Sequence, residues 1–149
     1  MPRSRLASAA LVVALASAAL AALAPEVEKA LRDSTYVYMQ TERKTGELGK
    51  PAEIWFMFDE GKVYVGTRPT SWRVKRIKAG RTKAKIAVGK PDGPSFTARG
   101  ELVHDKALEV KLMETYAKKY PDGWKKHEDD FRKGFESGER VLVRYTPAS

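Results

Sequence analysis

The chain has 149 residues, a net charge of +9 from 28 Lys and Arg against 19 Asp and Glu, and no cysteine. That length suits one globular domain, and a composition 42% hydrophobic and 9% aromatic can bury a core, so intrinsic disorder is excluded. Without cysteine there are no disulfides, thiolate metal sites, iron–sulfur clusters or cysteine nucleophiles.

The chain opens with Arg3 and Arg5 and then carries no charge from Leu6 until Glu26, with Ala22-Leu23-Ala24 as an AxA-like end. Residues 1–24 read as a secretory signal peptide. The alternative is an uncleaved membrane anchor, because the 19-residue run from Leu6 to Ala24 reaches spanning length and Pro25 follows the cut directly. The protein is thus expected to be exported or anchored, with residues 25–149 as its domain.

Pro25 to Asp33 predicts a short helix with Val27, Ala30 and Leu31 at helical spacing. Thr35 to Thr41 is a strand, and Glu42 to Lys50 a polar loop. Pro51 to Phe58 reads as one strand with Ile54, Phe56 and Phe58 on one face and Trp55 and Met57 on the other, both faces covered. Asp59-Glu60-Gly61 turns it into a strand over Lys62 to Thr67. Ser71 caps a helix that Gly80 stops. Thr82 to Val88 and Ser95 to Val103 form a hairpin about Pro91-Asp92-Gly93. An amphipathic helix follows His104-Asp105, with Leu108, Leu112 and Tyr116 in its stripe and Val110, Met113 and Ala117 widening it. Pro121-Asp122-Gly123 is expected to break it, a second helix carries Trp124, His127, Phe131 and Phe135 on one side, and Arg140 to Tyr145 is the last strand. Hairpins force antiparallel pairing and exclude a doubly wound parallel sheet. The expected fold is α+β: a six-stranded antiparallel, partly open barrel with helices outside it.

The charge is concentrated. Gly61 to Pro91 holds ten basic residues and no acidic one. The alternatives are an anionic partner, whether a phosphate-bearing cofactor, nucleic acid or anionic lipid at a membrane face, and a solvated basic face. Nucleic acid fits less well, since only Tyr64 and Trp72 interleave with those cations as stacking groups.

Motifs for nucleotide loops, metalloproteases and calcium loops are absent. Gly134 to Gly138 has GxxSG spacing and reads as a helix stop, not a nucleophile elbow. His104 and His127, as a loop residue and a packed core residue, supply no metal site, and Asp129 and Asp130 read as solvation. If the chain is an enzyme, a cofactor brings the chemistry.

Between the fourth element and its helix, Thr67, Thr70 and Ser71 offer hydroxyls, and Arg73 and Arg76 offer guanidinium forks beside the first helical turn. Those are the parts of a phosphate site. Here the sequence resembles the FMN- or deazaflavin-binding split β-barrels, which include pyridoxamine 5′-phosphate oxidase and the deazaflavin-dependent nitroreductases. Their TxxxSxKxxxL entrance is matched by Thr67, Ser71, Arg73 and Ile77, and their T..GRKSG segment is similar to Thr41-Glu42-Arg43-Lys44-Thr45-Gly46. Arg73 stands for the usual Lys, Gly80-Arg81 for Asn-Pro, and Glu42 for a Gly.

The resemblance implies a flavin-type oxidoreductase and a homodimer with its cofactor at the subunit interface. Both FMN and the deazaflavin F-420 stay open as that cofactor, as does a barrel that binds an anionic small molecule without turnover. Thr67, Thr70, Ser71, Arg73 and Arg76 would hold the phosphate, Trp55 would line the ring or serve as a core or dimer contact, and Arg43, Lys44 and Thr45 would touch cofactor or substrate. Arg3-Ser4-Arg5 lacks the adjacent pair of a twin-Arg signal, which leaves loading after export, another ligand or an anchor as alternatives.

Overall fold

The computed structural model describes residues 22–148. Most of the segment read as a signal peptide therefore lies outside the described residues. The elements are α1 (Pro25–Asp33), β1 (Val37–Thr41), β2 (Ala52–Ile54), β3 (Met57–Asp59), β4 (Lys62–Thr67), α2 (Trp72–Lys78), β5 (Lys83–Val88), β6 (Ser95–Val103), α3 (Lys106–Lys119), α4 (Pro121–Ser137) and β7 (Val141–Pro147). The strands form one antiparallel sheet in the order β2-β1-β5-β6-β7-β4-β3. Its two edge strands, β2 and β3, are joined by only Trp55 and Phe56, so the sheet has to curl until its edges approach.

The strand expected over Pro51 to Phe58 is therefore two, and the sheet has seven strands where six were expected. At Trp55-Phe56 the chain leaves its pairing with β1 and takes up pairing with β4. The backbone groups stranded at that corner are met by side chains of the α3 end. Tyr116 Oη donates to the Trp55 carbonyl at 2.9 Å, Phe56 N–H donates to Tyr120 Oη at 3.1 Å, and Lys119 Nζ donates to the Phe56 carbonyl at 3.0 Å. Leaving such groups unpaired would cost about 1–3 kcal/mol each. The expected alternation survives the corner: Ile54, Phe56 and Phe58 belong to the interior cluster, Trp55 and Met57 to the outer one.

Inside the curl, Val37, Met39, Val63, Val65, Ile86, Ala98, Val143 and Tyr145 pack together, with Val27 and Leu31 of α1 and Val74 and Ile77 of α2 added to them. Outside, α3 and α4 lay Leu112, Tyr116, Tyr120, Trp124 and Phe131 over Tyr64 and Leu142. The β3–β4 turn has Glu60 at φ 47° and Gly61 at φ 75°, the two left-handed residues that a tight hairpin with right-twisted strands requires.

Three local expectations are amended. The break at Pro121 is present, with α3 ending at Lys119, but Pro121-Asp122-Gly123 is itself the first turn of α4, where the missing N–H and fixed φ of proline suit the first helical position. Val110 lies outside the α3 stripe at 47% exposure. His127 is exposed instead of packed in the core: it shares the face of α4 that carries Trp124 and Phe131, but its ring stands edge-on to Trp55 at 6.0 Å and open to solvent.

Gly66 on β4 lets side chains of α3 and α4 approach the strand backbone: a Cβ there would stand 2.9 Å from the Phe131 ring and 3.2 Å from Leu112 and Phe135. By strand propensity alanine should improve on glycine at this position. Packing reverses the sign, so Gly66→Ala is expected to cost about 1–3 kcal/mol in urea unfolding, and a neutral result would mean the helix pair has slack.

Lys119 lies 3.4 Å over the Phe56 ring. Burial lowers its ammonium to about 8, whereas a free lysine titrates near ~10.4. Between those values the unfolded chain keeps a proton the folded chain has lost, so stability rises with pH. Burial pushes the Tyr116 and Tyr120 hydroxyls upward, so above about pH 10 the unfolded tyrosines ionise first and stability falls. The expected profile peaks between about pH 9 and 10. Lys119→Met should flatten its rising limb, and an unchanged limb in urea midpoints would refute the assignment.

Candidate functional site

Ser71 caps α2 with φ −64° and ψ 151°, and its Oγ accepts from Val74 N–H at 3.5 Å. That helix has only seven residues and its own cap already takes an N–H, so its dipole contributes little. Charge comes from side chains instead. Arg43, Ser71, Arg73 and Arg76 line one cleft of about 470 Å³ with Met39, Thr41, Gly49, Lys50, Ala52 and Trp72.

The cations are held by neutral oxygens. Arg76 Nη1 donates to Thr41 Oγ1 at 2.7 Å and to the Thr41 carbonyl at 3.3 Å, and Arg73 Nη1 donates to Thr67 Oγ1 at 2.8 Å. Among the described residues none of Arg43, Arg73 or Arg76 has a carboxylate within ion-pair distance. Burial, then the charges of Arg43 and Arg81, lowers the Arg76 guanidinium from its usual range. The cleft is thus a concentration of positive charge that no acidic residue of its lining offsets. Gly49, buried at the base of the β1–β2 turn, lets the guanidiniums in: a Cβ there would stand 3.0 Å from Arg76 Nη1 and 3.6 Å from Arg43 Nε. Trp72 at the mouth is 69% exposed, with Lys75 Nζ 5.1 Å and the Arg76 guanidinium carbon 5.5 Å from its ring centre.

Of the residues singled out in the sequence, Arg43, Ser71, Arg73 and Arg76 meet in this cleft. Thr67 lies behind it, 5% exposed, and orients Arg73. Thr70, Lys44 and Thr45 are exposed and do not line it. Arg43 N–H donates to the Glu47 carbonyl at 2.7 Å, closing a turn that carries Lys44 and Thr45 at its tip. Trp55 stands in an adjacent cleft that Arg73 and Thr67 share. It is half-buried, stacked on Tyr120 at 4.3 Å and 10°, and set edge-on to Tyr116 at 5.5 Å. Its seat depends on Gly123, where a Cβ would lie 2.7 Å from the indole.

Sequence reasoning missed Gly49, Arg140 and the tyrosine pair, Tyr116 and Tyr120. A glycine in a polar loop has no signature of its own, and the tyrosines read only as stripe residues. Tyr64 is buried at 4%, so Trp72 is the only exposed aromatic in the basic stretch. Its cations also divide between the cleft and the outward face of β5, where Lys83 and Lys85 are exposed. Among the described residues no group of His, Asp and Glu is placed to hold a metal ion, and no helix is long and apolar enough to cross a membrane.

A curled antiparallel sheet with two helices on its outer face is a split β-barrel of the pyridoxamine 5′-phosphate oxidase type, the fold that the sequence resemblance implied. Solved structures with this fold include a candidate pyridoxamine 5′-phosphate oxidase from Listeria innocua, 12% identical, TM-score 0.60, over 83% of this chain and 91% of that one. The heme storage protein HutZ of Vibrio cholerae is 13% identical with TM-score 0.60, over 87% and 92% of the two chains. An F420 reductase is 20% identical with TM-score 0.53, over 82% and 93%. No family model and no curated protein sequence matches the chain.

Proposed function

We propose that the chain binds a flavin-type cofactor, FMN or the deazaflavin F-420, through its phosphate and acts as an oxidoreductase. The observation that carries this reading is the convergence of Arg43, Arg73 and Arg76 on one cleft lined by no carboxylate, with Gly49 leaving them room. Guanidinium forks held by Thr41 and Thr67 keep further donors for phosphate oxygens, and Ser71 adds a hydroxyl. When bound, the ring supplies the two-electron redox chemistry; the chain's part is to anchor the phosphate and shield the ring from water. Fold likeness to an F420 reductase and to a candidate pyridoxamine 5′-phosphate oxidase supports the same class of ligand. A homodimer with the cofactor at its interface belongs to this reading, and the exposed Trp72 at the cleft mouth is a contact such a partner would cover.

A second reading is a barrel that holds an anionic small molecule without turnover. The similar fold of a heme storage protein favours it. The experiment that separates them is a spectral titration of residues 25–149 with FMN, with F-420 and with hemin. Stoichiometric uptake of FMN or F-420 followed by substrate-dependent bleaching supports the first reading, and uptake of hemin alone supports the second. We also propose that residues 1–24 direct export or anchoring, which N-terminal sequencing of the mature protein and cell fractionation test; a cytoplasmic protein beginning at its initiator would refute it.

A further inference from the structure

The cleft beside the arginine site, about 390 Å³, contains a second guanidinium that nothing so far has used. Arg140, between α4 and β7, is half-buried and lies with its guanidinium carbon 4.1 Å over the Phe131 ring. Its stem is pinned against Gly134, where any Cβ would collide with the arginine's own Cβ and Cγ. Among the described residues Arg140 has no carboxylate within ion-pair distance and its side chain makes no hydrogen bond. Burial and the charge of Arg68 lower it from its usual range, Asp130 opposing them.

Because one face of the guanidinium rests on Phe131, its in-plane N–H donors are the part left for a ligand, and a planar fork is matched by a carboxylate. The rest of the lining mixes apolar and aromatic groups, Ile54, Val65, Trp55 and Phe131, with the polar Thr67 and His127. Arg73 borders it too, with Nη1 on Thr67 and its remaining donors given above to the phosphate. Glu53, the acidic residue of the lining, accepts from Tyr38 Oη at 2.7 Å; its charge opposes every anionic group in the cleft, which favours a ligand with one carboxylate over one with more.

We propose that this cleft takes a planar aromatic monocarboxylate, with the carboxylate on the Arg140 fork and the ring against the half-buried Trp55. As the substrate subsite of a redox enzyme it rests on the cofactor reading above; as a carboxylate site it stands on Arg140 and its surroundings. The test is calorimetric titration of the full chain with 2-naphthoate and with its neutral isostere 2-naphthamide, beside an FMN titration of the same samples. The expected result is that the carboxylate binds at least ~10-fold tighter than the amide, and that Arg140→Met, which keeps the packed stem, removes ~10- to 100-fold of that affinity. FMN uptake by the variant should be unchanged.

Should Arg140→Met fail to fold, Arg140→Lys serves: it keeps charge without the fork, and a loss of ~10-fold is expected. No binding of naphthoate, equal binding of acid and amide, or full affinity in either folded variant overturns the proposal. Naphthoate binding with no uptake of FMN or F-420 by the parent chain would instead sink the cofactor reading and leave the carboxylate site standing.

Discussion

Arg73→Glu combined with Arg76→Glu should abolish uptake of a phosphorylated flavin while the chain still folds. Each charge-assisted hydrogen bond to a phosphate is worth about 1.5–3 kcal/mol, so two lost forks and the added repulsion amount to at least ~10³-fold in affinity. The fold should tolerate the change because neither arginine is in an ion pair among the described residues and both lie outside the two apolar clusters. Removing Arg76 also relieves repulsion from Arg43 and Arg81. The check is a fluorescence titration with FMN and F-420 alongside a thermal melt. Stoichiometric binding by a folded double variant would remove the phosphate assignment, and Arg73→Gln with Arg76→Gln should give an intermediate loss, since the charge goes but no repulsion is added.

Tyr116→Ala should be the most damaging single substitution in the helical layer, at about 3–5 kcal/mol. Tyr116 has no exposed surface, and its ring sits edge-on to Trp55, Tyr120, Trp124 and Phe131. Its hydroxyl donates to the Trp55 carbonyl at 2.9 Å and accepts from Gly66 N–H at 3.4 Å, so one side chain ties α3 to the β2–β3 corner and to β4. Tyr116→Phe keeps the ring and strips only the hydroxyl, and should cost about 1–3 kcal/mol because the Trp55 carbonyl loses its partner. Urea unfolding of the two variants separates packing from hydrogen bonding. Equal costs would mean that the corner, and not the aromatic cluster, is what Tyr116 holds.

That corner also marks where the sequence stopped being informative about the fold. The alternation of Ile54, Phe56 and Phe58 against Trp55 and Met57 is a local pattern and was legible, including the fact that both faces are covered. The break between β2 and β3 was not, because both halves keep the same alternation and only the pairing partner changes. Likewise Pro121 has the same local signature whether it stops one helix or begins the next, and the short link at Tyr120 is a matter of how α3 and α4 share the outer face of the sheet.

For the site, the sequence by itself determined the cationic chemistry: Ser71, Arg73 and Arg76 cluster within six residues, and Arg43 lies in a second segment similar to the same family. Turn residues and two-residue periodicity likewise determined an antiparallel α+β fold, since hairpins and strands are written in neighbouring positions. Only the tertiary structure decided that Arg43 crosses to the α2 cleft while Lys44 and Thr45 do not, that Thr67 orients Arg73 from behind, and that Arg140 faces a cleft with Trp55. Those facts depend on which strand edges the curled sheet brings together, through contacts such as that between Thr41 and Arg76, 35 residues apart in sequence. Local propensity carries no record of such pairings; closure of the sheet around a buried interior decides them.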